Sequence, residues 1–153
     1  MDSLAYVVYD TKRKLKHEYV DADPKRLVAL KKAGVEITDL VFDRLVTYVG
    51  DSTMDTYTPE DERNAKIFDS KVVLLETTFL APEDRQKAKD RGHTEWSELI
   101  EFLAANHEKW RTEKFILKHF SLKTDMEELK SRLAMLHIFH PTLAAKIVPF
   151  ATL

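Results

Sequence analysis

Apolar positions along this chain come in short β-branched or aromatic runs, separated by stretches in which they recur at helical spacing. Leu4-Ala5-Tyr6-Val7-Val8-Tyr9 predicts a buried strand. Asp23 before Pro24 is a helix start, Leu27 and Leu30 give that helix an apolar face, and Gly34 ends it. Leu45-Val46-Thr47-Tyr48-Val49 predicts a second strand, broken by Gly50, and Thr58-Pro59-Glu60-Asp61 a capped helix start with acids at the positive dipole end. Val72-Val73-Leu74-Leu75 reads as a short strand. Trp96, Leu99, Ile100, Leu103 and Ala104 share a helical face behind Thr94, a candidate cap. Phe115-Ile116-Leu117 predicts another strand. Thr124 and Glu127 form a capping box before a helix carrying Met126, Leu129, Leu133 and Leu136, and Lys146-Ile147-Val148 is a last strand. Strand and helix alternate to the end with no linker, so the fold class is α/β over 1–153.

Composition narrows this picture in two ways. The absence of cysteine removes disulfides, thiolate metal sites and cysteine nucleophiles, so any metal must be held by His, Asp and Glu. No apolar run approaches a membrane span and no signal peptide opens the chain, so the expected address is intracellular: cytoplasmic or nuclear first, organellar second. The net charge of -2 is unevenly spread. Residues 12–32 hold eight cations (Lys12, Arg13, Lys14, Lys16, Lys25, Arg26, Lys31, Lys32) against Glu18, Asp21 and Asp23, an excess of +5 on an otherwise acidic body. Such a segment is either a solvated helical face or a surface for a polyanion.

Four polar residues share a context. Asp51 follows Val49-Gly50, Glu76 follows Leu74-Leu75, His93 follows Gly92 ahead of a helix, and His119 follows the strand ending near Leu117. Strand ends of an α/β sheet converge on one edge, where active sites form, and Asp and His are ligands that zinc accepts without thiolates. Singly, each is as well explained as a turn former or a satisfied structural residue. His137 and His140 lie three apart ahead of Pro141 and read as structural; His17 and His107 carry no chemical signal, and Trp96 and Trp110 read as core or half-buried.

At these residues the sequence resembles ribonuclease Z, the zinc-dependent endonuclease that removes 3′ trailers from precursor tRNA. Val49-Gly50-Asp51-Ser52, Leu75-Glu76-Thr77-Thr78-Phe79, Gly92-His93-Thr94 and Lys118-His119-Phe120-Ser121 are similar to four of its motifs, in the same order. Upstream, Tyr6-Val7-Val8-Tyr9, Arg13-Lys14-Leu15 and Gly34-Val35-Glu36-Ile37-Thr38 resemble its short plant and bacterial forms. The resemblance covers nearly the whole chain and matches the family's C-terminal half. It implies half of a metallo-β-lactamase αββα sandwich: one mixed sheet with helices on its outer side. It also implies that Asp51 bridges two zinc ions, that His119 is a ligand, and that Glu76 orients His93 to assist departure of the 3′ oxygen. A basic arm at about 12–38 would grip tRNA through its backbone, with Lys123 near the phosphates.

The family's His-x-His-x-Asp-His cluster, which supplies most of the zinc ligands, is absent from this chain. Asp51 and His119 alone give two donors where zinc needs three or four. The expectation is therefore an endoribonuclease half inactive by itself and holding no zinc pair. Half a sandwich leaves an apolar sheet face to be covered by a second copy, as a homodimer, or by the complementary N-terminal half. Two departures point elsewhere. Lys123-Thr124 stands where the family has Arg-Tyr, losing a planar phosphate clamp, and Ala22-Asp23-Pro24 replaces a Thr-Gly turn. Both bear on substrate handling, and the Lys123-Thr124 change suits a non-catalytic RNA-binding or assembly module, such as a truncated paralogue. A related hydrolase of another phosphodiester or a thioester is a third possibility, against which the arm argues.

Overall fold

A computed structural model describes residues 3–57, 66–122 and 124–150. Five strands form one sheet in sequence order: β1 (Ala5–Leu15), β2 (Thr38–Val49), β3 (Val72–Glu76), β4 (Lys114–Lys118) and β5 (Ile147–Pro149). β2 to β5 run parallel, with Tyr48 opposite Leu74, Leu75 opposite Leu117, and Phe115 opposite Ile147. The Gly50 amide bonds the Leu4 carbonyl and the Lys16 amide bonds that of Ile37, so β1 runs antiparallel to β2 and the sheet is mixed. The described α-helices are α1 (Pro24–Lys32), α2 (Arg85–Asp90), α3 (Trp96–Asn106), α4 (Met126–Phe139) and α5 (Pro141–Ala144). The helix start expected at Thr58-Pro59-Glu60-Asp61 lies outside the described residues.

The chain divides into two compact units. One, Met1–Val8 with Arg44–Leu153, holds most of the sheet and its helices; the other is Tyr9–Asp43. In the first unit the strands alternate sharply. Thr47, Val49, Val73, Leu75, Phe115 and Leu117 are fully buried, and the apolar ones share a core with Leu99 and Leu103 of α3, Leu129 and Leu136 of α4, and Leu143 of α5. Each large apolar side chain so buried contributes about 1.5–3 kcal/mol, which makes this face the source of the unit's stability. The intervening positions form the opposite face, where Tyr48 and Val148 are exposed and Val46, Val72, Leu74 and Ile116 only half-buried. This is the one-sided arrangement expected of half a sandwich.

β1 exists where the sequence placed a strand, but it is not buried: Leu4, Tyr6, Val8 and Tyr9 are all exposed. It is the edge strand. Two caps also differ from expectation. α3 is capped by the Glu95 carboxylate, which accepts from the Ser97 and Glu98 amides, while the Thr94 hydroxyl donates instead to the Ser52 carbonyl at 2.6 Å. α4 is capped by Asp125, which accepts from the Glu127 amide at 2.9 Å, rather than by Thr124.

The second unit holds the outer parts of β1 and β2 with α1 between them. Asp23 caps α1 through the Lys25 amide as expected, and Leu27 and Leu30 are its half-buried positions. Lys12, Arg13, Lys14, Lys25, Arg26, Lys31 and Lys32 are exposed and Lys16 half-exposed. Lys12 pairs with Asp10 at 2.8 Å and Arg13 with Glu36 at 2.7 Å. Exposed pairs of this kind are worth about 0–1 kcal/mol, so both cations remain available to a stronger anion.

Candidate active site at the strand ends

The carboxyl ends of β2, β3 and β4 meet the turn before α3, and there the four expected residues come together. Each is placed by a different backbone device. Gly50 turns the chain out of β2 toward Asp51; a Cβ there would sit 3.1 Å from the Leu4 carbonyl, tighter than ordinary contact. Glu76 is the last residue of β3 and is fully buried. His93 is set by the stop of α2, where Gly92 adopts φ +76°, its amide bonds the Lys89 carbonyl, and the His93 amide bonds that of Ala88. That double closure is a Schellman motif, and it demands the glycine. His119 leaves β4 at φ +62°, in the left-handed region that a non-glycine residue enters only when its surroundings hold it there.

Glu76 is the hub. Its carboxylate accepts from the Thr78 amide at 3.1 Å, the Thr78 hydroxyl at 2.6 Å and the Thr94 amide. Burial pushes the Glu76 carboxyl above the ordinary glutamate value, against these hydrogen bonds and the nearby His93 ring, which pull it down. The Thr78 hydroxyl gives its proton to Glu76, so its lone pairs face the imidazoles, 3.2 Å from His93 Nδ1 and 3.4 Å from His119 Nδ1. His119 Nδ1 lies nearer Asp51 Oδ1, at 2.9 Å, and His93 Nδ1 is 3.6 Å from Glu76 Oε2. The two rings stand edge to face, 5.3 Å between centroids.

The surrounding loops are tied to one another. The Ser121 amide bonds the Thr78 carbonyl and the Thr77 amide that of Lys118, joining the turns after β3 and β4. Tyr57, buried with its phenol pushed upward by burial, bonds the Ser52 hydroxyl at 2.8 Å, and Thr94 holds the Ser52 carbonyl. A cavity of about 1170 Å³ borders Asp51 and Gly92; its wall carries Arg44, Lys66 and Lys89 beside Asp55 and Asp90, so its charge is mixed.

One nitrogen from each of His93 and His119 and one Asp51 oxygen lie within 4.8 Å of one another. These are N and O donors of the kinds zinc accepts, and three of them equal the protein ligand count of catalytic zinc sites. The sequence offered only Asp51 and His119 as ligands; the fold sets His93 beside them. It also reveals Thr78, to which the sequence assigned no role. The only signal was a hydroxyl two residues past a strand-end carboxylate. The expected arm cations Lys12, Arg13, Lys14, Lys16, Lys25, Arg26, Lys31 and Lys32 belong to the other compact unit, and Lys123 lies outside the described residues.

Among curated proteins, tRNase Z TRZ1 of Arabidopsis thaliana is 37% identical over 138 residues, 89% of this chain. This chain is a ribonuclease Z relative. The chloroplastic tRNase Z TRZ2 of the same plant is 33% identical over 149 residues, 96% of the chain. The chain spans 47% and 39% of the lengths of these two tRNase Z proteins, about half or less of each. No family model matches the chain. Human tRNase Z, short form, overlaps 55% of this chain and 30% of its own at 20% identity and a TM-score of 0.38, a partial likeness that adds nothing to the sequence match. No described helix is long and apolar enough to cross a membrane.

Proposed function

We propose that these residues form the C-terminal, strand-end half of a tRNase Z-type endoribonuclease that releases 3′ trailers from precursor tRNA, and that they work only together with a half bearing the His-x-His-x-Asp-His cluster, on the same polypeptide or on another. The observation that carries the reading is the convergence of Asp51, His93 and His119 over the buried Glu76-Thr78 pair.

Asp51 and His119 would hold metal together with the cluster from the other half. When bound, a zinc pair would supply Lewis-acid catalysis of phosphodiester hydrolysis. The chain's own residues do the rest. Glu76 fixes the Thr78 hydroxyl, which accepts the Nδ1 proton of His93 and so settles the orientation of that ring. Its other nitrogen is then the group that delivers a proton to the departing 3′ oxygen, the step at which a leaving alkoxide most needs one. The arm contributes charge. Its cations can follow a phosphate backbone without reading bases, as suits a substrate class sharing one shape.

The half-exposed sheet face supports the pairing. It carries Val46, Tyr48, Val72, Leu74, Ile116 and Val148, with the Lys118 ammonium over the Tyr48 ring, and a largely apolar face on a folded unit is ordinarily covered. The complementary half is the occupant that also supplies the missing ligands; a second copy of this chain would cover the face but bring no cluster. Zinc is the metal the family resemblance implies, and His and Asp donors accept it among several divalent cations.

A second reading, a non-catalytic RNA-binding module, is favoured by Lys123-Thr124, where the ribonuclease Z pattern that this sequence resembles has Arg-Tyr, since lysine lacks the planar guanidinium fork. Incubation of labelled precursor tRNA with the chain alone, the cluster-bearing half alone, and both together separates the two. Trailer release only by the mixture supports the endoribonuclease. Tight RNA binding with no cleavage by any combination would leave the binding module.

A further inference from the structure

We propose that the half covering the open sheet face presents a carboxylate to Lys118, and that this ion pair at the junction of the two halves selects the complement. It rests on the pairing proposed above and goes beyond it in stating the chemistry by which one partner is chosen over another.

Lys118 is the last residue of β4 and only 8% exposed. It shares a face with Ile116, opposite the helical core, and its ammonium sits 4.3 Å from the centre of the Tyr48 ring. Tyr48 is on β2, so the lysine stem crosses β3 and lies flat over the sheet. The charge is therefore held in the plane where a covering layer must pack.

A lysine is almost never buried without a partner, because the water it loses is worth more to an ammonium than the face of a ring. Among the described residues no carboxylate forms an ion pair with Lys118; the pairs at the neighbouring strand ends are His93 with Glu76 and His119 with Asp51. Glu76 is its register neighbour on β3, but that carboxylate already accepts from the Thr78 amide and hydroxyl and the Thr94 amide. The lysine is thus left with one ring for company on a face that water now reaches. Covering the face would strip that water away.

Chemistry sets the candidate occupants apart. Val46, Val72, Leu74 and Ile116 surround the position half-buried, and Tyr48 and Val148 are exposed. An RNA backbone gains nothing from such side chains; one cation in an apolar field calls for one carboxylate in another apolar field, which is a protein sheet. A second copy of this chain does not bring it. On this face β3 to β5 carry Lys114, Lys118 and the engaged Glu76, so self-pairing would set cations against cations. An apolar cover without an acid would leave the ammonium dry and unpaired, which disfavours the wrong complement as strongly as the pair favours the right one.

The test compares the full 153-residue chain with Lys118→Met and Lys118→Arg, alone and with the half bearing the His-x-His-x-Asp-His cluster. Alone, Lys118→Met should raise the urea midpoint, since an unpaired buried charge gives way to an apolar side chain of similar size. With the complement, calorimetry should show Lys118→Met weakening association at least about tenfold and Lys118→Arg, which keeps the charge, losing less. Where both halves share one polypeptide, its urea unfolding replaces association. Carbodiimide treatment of the unsubstituted assembly should join Lys118 to an Asp or Glu outside residues 1–153, located by mass spectrometry. A lower midpoint for Lys118→Met alone would show the ammonium satisfied within the chain and overturn the proposal. So would undiminished association with no such cross-link. Trailer release by an assembly carrying Lys118→Met at undiminished affinity would sink the ion pair and leave the endoribonuclease reading standing. Failure of the unsubstituted halves to associate is the separate outcome that removes both.

Discussion

At the scale of single residues, Thr78 is the side chain on which the site's geometry turns. Its hydroxyl meets Glu76, His93 and His119 together. Thr78→Val keeps the shape and removes the hydroxyl, leaving a buried carboxylate short of one donor and two imidazoles without a rest. The expected result is a 10–100-fold slower trailer cleavage by the assembled pair, roughly the loss seen when support behind a ligand is removed, with Thr78→Ser restoring most of it. An unchanged rate in the valine variant would remove Thr78 from the mechanism. Asp51, Glu76, His93 and His119 were legible in the sequence because each follows a strand or a helix stop. Thr78 was not, since threonines after strands are common and nothing local marks which one faces a carboxylate. The role of His93 was open for a similar reason: order along the chain shows that it reaches the strand ends, not which neighbour it meets.

His107 makes a separate statement about pH. It is buried at the end of α3, its Nδ1 has no partner among the described residues, and burial together with the Lys146 charge holds its pKa below the ordinary histidine value of 6.5. The unfolded chain therefore takes up the proton first as pH falls. Stability contributed by the neutral ring is complete above 6.5, declines as pH drops through that value, and stops declining below the folded pKa. Thermal unfolding of His107→Leu followed between about pH 8 and pH 5 should show a shallower decline than the parent chain. Parallel curves would show that His107 carries none of the acid sensitivity.

At the scale of elements, the alternation of strands and helices was readable because each β-branched run is short and each helical stretch repeats its apolar residues at one spacing. Caps were less so. Adjacent residues Thr124 and Asp125 are both good N-caps, and only the backbone decides that Asp125 accepts from the Glu127 amide. Asp125→Ala should lower stability by about 1 kcal/mol and Thr124→Ala by far less, measured by urea unfolding. The reverse order would return the cap to Thr124. β1 shows the other limit. Its composition asks for burial, yet Tyr6 and Val8 are exposed, because residue types reveal how much a strand wants to be covered and not whether this chain supplies the cover.

At the scale of the whole molecule, two features bear on the proposal: a sheet face on which Tyr48 and Val148 are exposed, and residues 12–32, proposed as an RNA-gripping arm, which carry an excess of +5 in a chain of net charge -2. The arm has a direct test. Changing Lys25, Arg26, Lys31 and Lys32 of α1 to glutamine should weaken precursor-tRNA binding for all sequences alike. It should also flatten the salt dependence of binding by about 0.7–0.9 in log-log slope for each phosphate no longer neutralised. A slope that stays the same would place the RNA elsewhere. The face and the absence of the cluster from residues 1–153 together lead to the proposal's central claim, that these residues bring half of a tRNase Z-type site to a complementary half that brings the rest. The measurement that tests it most directly is single-turnover 3′-trailer release from precursor tRNA by the mixed halves, comparing the parent chain with Asp51→Asn. The account expects cleavage by the parent mixture and a loss of at least about a hundredfold with Asp51→Asn, a neutral amide being a poor substitute for a shared carboxylate ligand. Equal rates would show that the strand-end site of this chain takes no part in the reaction.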